Sequence, residues 1–226
     1  MALSAGSRTN ISQLTILNQS FGWMCIGLIV TGLSAYFVAS SPTLINAIND
    51  NVFTYFVLIA VELILVAVLS AKVRSMTFEE AAGAFLVFSF LNGLTLSSIF
   101  LVYTETSIVS TFFITALVFG VMALYGYTTK QDLTSIGSLA FMALFGLIIA
   151  FIINAFLQNN ALSYVLSGFS ILIFVGLTAY DAQKIKQMGS YSDNENLGIL
   201  GALTLYLDFI NIFLDVLRFL GRSSRN

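Results

Sequence analysis

The 226-residue chain has no histidine, one cysteine, one proline and very few charges. Without an imidazole it has no Ser-His nucleophile, no His-ligated zinc or haem and no histidine pH switch. Titration near neutrality is left to carboxylates in unusual surroundings. A lone Cys25 excludes an intrachain disulfide and a multi-thiolate metal site, and reads as a small apolar residue within a span. Charged residues make up 9% of the chain, where a soluble domain carries roughly 25%. The nine Lys and Arg are spread singly and the net charge is −2. No basic patch results, so nucleic acid is not an expected partner.

What the chain does have is hydrophobic sequence, 58% of it. Since about 20 apolar residues cross a bilayer core, that length suits an all-α integral membrane protein. Long apolar runs fall at 21–39, 52–71, 81–103, 107–128, 135–157, 162–181 and 196–220. Each is long enough for a transmembrane helix, and none alternates as barrel strands do. Polar punctuation separates them at Ser40 to Asn51, Lys72 to Glu80, Thr104 to Thr106, Thr129 to Thr134, Gln158 to Asn160 and Ala182 to Glu195. Residues 1–20 form a polar N-terminal segment, 21–221 a single seven-helix domain, and 222–226 a short polar tail. The run that begins at Phe21 exceeds a signal-peptide core and reads as a retained first helix.

Cytoplasmic loops retain Lys and Arg. A cytoplasmic N-terminus places Arg8, Lys72, Arg74, Lys130, Lys184 and Lys186 inside, six of the nine. Arg218, Arg222 and Arg225 run against that bias, because seven complete crossings put the C-terminus outside. Either the bias is overridden there or the last segment does not cross fully.

A charge at the bilayer centre costs at least roughly 2.5–3.5 kcal/mol, so acidic residues deep in a span need a reason. Glu62, Asp208 and Asp215 are such residues, and Asp181 closes the sixth run, at the interface or turned inward. Thr204, Asp208, Asn211 and Asp215 recur at spacings of four, three and four, which align them on one helical face. That face is unsuited to lipid, so the simplest arrangement surrounds the last helix with the other six and directs the stripe to a cavity or buried partners. Two carboxylates meeting in a poorly hydrated place do not both ionise readily, so such a pair is proton-sensitive. Deprotonated, it offers hard oxygen ligands to Ca²⁺ or other cations. Asn92 and Asn154, each well inside a span, line a path or bond between helices, and the small residues Gly22, Gly27, Gly32, Gly146 and Ala150 read as close-packing positions. Tyrosines near span ends read as interfacial anchors.

At these residues the chain resembles a known family. Gly176-Leu-Thr-Ala-Tyr-Asp-Ala-Gln-Lys-Ile-Lys186 and Ala202-Leu-Thr-Leu-Tyr-Leu-Asp-Phe-Ile-Asn-Ile-Phe-Leu-Asp-Val-Leu-Arg-Phe-Leu-Gly221 strongly resemble the Bax inhibitor-1 family, as do Gly93 through Tyr103 and Tyr125-Gly-Tyr-Thr-Thr-Lys130. The likeness covers essentially the whole chain and is nearest to bacterial inner-membrane members. It implies seven helices with the last running through the middle, and a pH-sensitive calcium leak; no enzymatic activity is expected. It also implies that Asp181 and Asp208 form a hydrogen-bonded proton sensor that meets Ca²⁺ transiently, and that a second-helix arginine, Arg74 here, latches the closed state. Glu62 matches an acidic position of relatives, whereas the role of Asp215 rests on the polar stripe alone; with Asn211, both are expected along the pathway. The expected partners are the lipid bilayer, Ca²⁺ and protons, with no cofactor.

Other functions fit less well. An intramembrane aspartyl protease needs Gly-x-Gly-Asp, but Leu205-Tyr206-Leu207 precede Asp208, and Pro42 is far from any substrate-binding position. A retinal protein needs a lysine within a span, and the four lysines lie in loops or at boundaries. The main alternative is a regulator that binds a membrane protease or modulates a stress or cell-death pathway.

Overall fold

In a computed structural model, residues 5–189, 194 and 196–223 are described, with 5–13 and 49 described by backbone alone. Long apolar runs dictate helices, because backbone polar groups that meet lipid must bond within their own segment. The order is α1 (Ala5–Ala39), α2 (Pro42–Asn49), α3 (Val52–Lys72), a 3-10 turn (Val73–Ser75), α4 (Phe78–Leu96), α5 (Ile99–Val102), α6 (Glu105–Thr128), α7 (Thr134–Leu157), α8 (Asn160–Met188) and α9 (Asn196–Leu220). Among the described residues there is no sheet, only an isolated bridge between Tyr103 and Ser223. Seven of these segments are long and apolar enough to cross a membrane.

Local chemistry sets the ends. Asn51 caps α3 by accepting from the Phe53 and Thr54 amides, at 3.0 and 3.4 Å. Thr77 and Glu80 form a reciprocal capping box at the start of α4. Gln158 ends α7 in the left-handed conformation, φ 50°. Asp132 accepts from the Thr134 amide and hydroxyl at 2.9 and 2.6 Å, and those bonds hold its carboxyl below the usual carboxylate range.

Two boundaries differ from the sequence expectation. The polar stretch before Phe21 is helical from Ala5 and continuous with the first span. The sixth span does not stop at Asp181, for α8 runs on through Lys184 and Lys186 to Met188. The polar residues there concealed a buried face, since Ala182 and Ile185 are fully enclosed. Gln183, also buried, accepts from the Leu133 amide at 2.9 Å and donates to the Gln131 carbonyl at 2.8 Å. Arg225 and most of the expected punctuation after Gly189 lie outside the described residues.

The chain divides into two compact units, Met1–Tyr103 with Ile185–Tyr206 and Ser223–Asn226, and Thr104–Lys184 with Leu207–Arg222. α9 contributes a stretch to each. It is the enclosed helix, with 72% of its most apolar window buried against at most 33% for the other six spans. That burial is what the polar stripe required of a central last helix.

In the first unit, α1 lies close to α4. A side chain at Gly27 would meet the Phe85 ring, and Thr31 Oγ1 reaches the Ser89 carbonyl at 2.8 Å. The start of α9 is tied to the end of the second span, where the Asn196 amide donates to the Val73 and Met76 carbonyls at 2.9 and 2.7 Å. In the second unit Phe209 packs between Phe112 and Phe119, ring centroids 5.3 and 5.5 Å away. The surface is apolar, with Leu117, Phe145 and Phe156 fully presented outward, as acyl chains demand and water would not tolerate. Gly22, Gly32 and Gly146 face open space, so of the glycines expected to bring helices together only Gly27 does so.

Candidate functional site

α8 is held in place by two glycines on its neighbours. Gly126 of α6 meets the Ala179 backbone so closely that no side chain fits there. Gly137 of α7 lies under the Tyr180 ring, where a Cβ would be 2.6 Å from Cγ. The next residue is Asp181, 4% exposed.

Asp208, on the α9 stretch of the same unit, is equally buried, and the two carboxyl groups lie within hydrogen-bonding reach of each other. Two carboxyls bond only when at least one carries a proton, which makes the contact itself a function of proton occupancy. Among the described residues, Asp208 Oδ2 and Thr115 Oγ1 are the buried side-chain polar atoms without a partner, and both belong to this unit. The cation acting on Asp181 here is Lys184, one turn along α8, whose ammonium lies 5.5 Å from the centre of the Tyr180 ring. The described residues include no group of three or more acidic or thiol side chains able to hold a metal.

The other expected site residues lie elsewhere. Asp215, buried, lies near Ser167 and Ser170 of α8, and its Oδ1 is 3.6 Å from Arg218 Nη1. Asn211 and Thr204 turn back on their own helix, to the Leu207 and Leu200 carbonyls at 2.7 and 3.0 Å. The stripe is therefore not one continuous site: its two aspartates reach α8 separately, and its neutral members satisfy themselves. Glu62 belongs to the first unit, where it accepts from the Asn92 amide at 3.0 Å and from the Thr95 hydroxyl. Arg74 is exposed on the 3-10 turn of that unit, with no ion pair among the described residues, and its carbonyl accepts from Asn194 at 3.3 Å.

Two contributors escaped the sequence reading. Tyr206 is fully buried, linking to Asn92 and Thr31. Its mid-span position, distant from the interfacial belt of tyrosines, was the available signal. Gln183 sat in what read as a polar loop, and nothing in its surroundings marked it. Asn92 and Asn154 both bond between helices, Asn154 donating to Ser163 of α8 at 3.1 Å.

The family model described as inhibitor of apoptosis-promoting Bax1 matches residues 13–225. The chain belongs to the Bax inhibitor-1 family. It is 46% identical to the inner membrane protein YbhL of Escherichia coli K12, over 92% of this chain and 91% of that one. A Borreliella burgdorferi protein is 41% identical, with 91% of each chain covered. A membrane protein of Streptococcus pyogenes serotype M1 is 38% identical, covering 92% and 94%. Together with the seven apolar spans, these relatives make the chain a multi-pass membrane protein of the Bax inhibitor-1 family.

Proposed function

We propose that this family member is a non-enzymatic, pH-sensitive cation leak of an inner membrane, with Ca²⁺ as the permeant ion and the Asp181–Asp208 pair as its proton switch. One observation supports the reading above others: two aspartates on separate helices are buried together, and their mutual bond needs a proton. When that proton leaves, two negative charges face each other in a site with little water, and the α8–α9 contact changes from attraction to repulsion. A helix contact that changes sign with one proton is a bistable element suited to gating, and acidic lining favours cations over anions. Arg74 is the proposed latch, stabilising the shut state through charge-assisted hydrogen bonds. Glu62, Asn211 and Asp215 are proposed as lining of the pathway.

The test is calcium flux through purified protein in liposomes at stepped pH. Flux without other proteins, responding to pH in the native chain and not in the Asp181→Asn/Asp208→Asn variant, supports the leak. No flux at any pH, with a membrane protease co-purifying, replaces it with the regulator reading.

A further inference from the structure

A polar cleft opens in the second unit where α7 ends and α8 begins. Its volume is about 280 Å³, and Phe151, Asn154, Gln158, Asn160, Ser163 and Arg218 are among its lining residues. It is separate in chemistry from the aspartate pair, for no carboxylate lines it.

Arg218 is the one charge in the lining, and it is held firmly. Its Nη1 donates to Ser167 at 2.9 Å and lies 3.6 Å from Asp215, while its guanidinium carbon lies 5.6 Å from the centre of the Phe151 ring. Those contacts engage one face and one nitrogen. The side chain keeps 41% of its exposure, and among the described residues its hydrogen bond and ion pair both use Nη1, which leaves Nε and Nη2 as the donor fork of the proposed site. Asn154 and Ser163 are bonded to each other, and Asn154 also accepts from the Asn159 amide at 3.3 Å, which fixes the wall. Gln158 and Asn160 add exposed amides at the mouth. Around the opening Phe156, Leu157, Phe219 and Leu220 all face outward.

A guanidinium fork and amide donors beside lipid-facing phenyl and leucine side chains describe a site for an anion that carries hydrocarbon. We propose that this cleft binds the phosphate of an anionic phospholipid headgroup, with acyl chains lying along Phe156 and Phe219. Asp215 sets the character of the site. By pairing with Arg218 from behind it offsets net charge, so recognition depends on the two-pronged geometry that guanidinium shares with phosphate oxygens. The inference also gives Arg218 a reason to stand where the charge bias argues against it.

Native mass spectrometry of the full-length chain in detergent tests this, with added phosphatidylglycerol, phosphatidylcholine or inorganic phosphate. Expected is preferential retention of phosphatidylglycerol, weakened about tenfold or more by Arg218→Ala. Arg218→Lys, which keeps the charge and loses the fork, should weaken it as well, and Gln158→Leu at the mouth should do so to a smaller degree. Should Arg218→Ala fail to run as a monodisperse species, the other two variants carry the comparison. Equal retention of the zwitterionic lipid, or unchanged binding in a well-folded Arg218 variant, overturns the site. Displacement of phosphatidylglycerol by inorganic phosphate overturns the lipid and leaves free phosphate as occupant. None of these readouts depends on ion flux, so they stand or fall separately from the leak.

Discussion

The Tyr206 hydroxyl donates to Asn92 Oδ1 at 2.9 Å, and Asn92 in turn donates to Glu62 at 3.0 Å, joining α9, α4 and α3 within one unit. Thr31 of α1 extends the chain, its Oγ1 2.6 Å from the phenol oxygen. The Phe85 and Phe88 rings meet Tyr206 edge-on, with centroids 5.9 and 5.5 Å away. A buried carboxyl at mid-span is thus given neutral donors and, among the described residues, no ion pair.

Tyr206→Phe keeps the ring packing and removes the hydroxyl, leaving Asn92 Oδ1 short of a donor. The expected loss is about 1 kcal/mol, since hydrogen bonds between membrane helices are worth less than their burial implies. Thermal unfolding of the detergent-purified protein measures it. An unchanged Tm would mean that Asn92 finds another donor.

Glycine replacements should separate by what they face. Gly126→Ala and Gly137→Ala push a methyl into Ala179 and Tyr180, at a cost of about 1–3 kcal/mol each from forced backbone and ring shifts. Gly146→Ala meets open space and should be neutral or stabilising by up to roughly 1 kcal/mol, because alanine is the better helix former. The same melting experiment, run on all three, would refute the packing account if Gly146→Ala were the most damaging.

Gln183→Leu should destabilise by about 1–3 kcal/mol, because it strands the Leu133 amide and the Gln131 carbonyl. Amide exchange at Leu133 reports directly. Protection there as strong as in the native chain would show that Gln183 is dispensable.

For the aspartate pair, the single variants Asp181→Asn and Asp208→Asn each leave one titrating carboxyl. The pH response of calcium flux should therefore change its midpoint in either single variant and vanish in the double. A response identical in all four proteins would remove the pair from the mechanism. Arg74→Ala should raise flux under the conditions that shut the native protein, and an equally tight variant would discard Arg74 as the latch.

Lipid solvation made the fold legible. An apolar run long enough to span a bilayer has almost no choice but to be a helix, so seven spans and the enclosed polar stripe of α9 were readable without a structure. Asp208 was equally plain, because a carboxylate at mid-span is costly in hydrocarbon and stands out. Asp181 was harder to place, since polar Gln183 and Lys184 masked a helix that continues two turns beyond it.

Sequence by itself therefore determined which segments are long and apolar enough to cross, that the last of them is shielded from lipid, and which acidic residues need partners, because all three follow from transferring individual groups between water and hydrocarbon. The family resemblance implied the Asp181–Asp208 pair, and only tertiary structure decided the other partners: that Asp215 lies beside Ser167, Ser170 and Arg218, and that Glu62 is answered through Asn92 by Tyr206. Partner choice depends on helix rotation and approach distance. Those are set by contacts such as Gly126 against Ala179, between residues far apart in the chain, which helical periodicity does not encode.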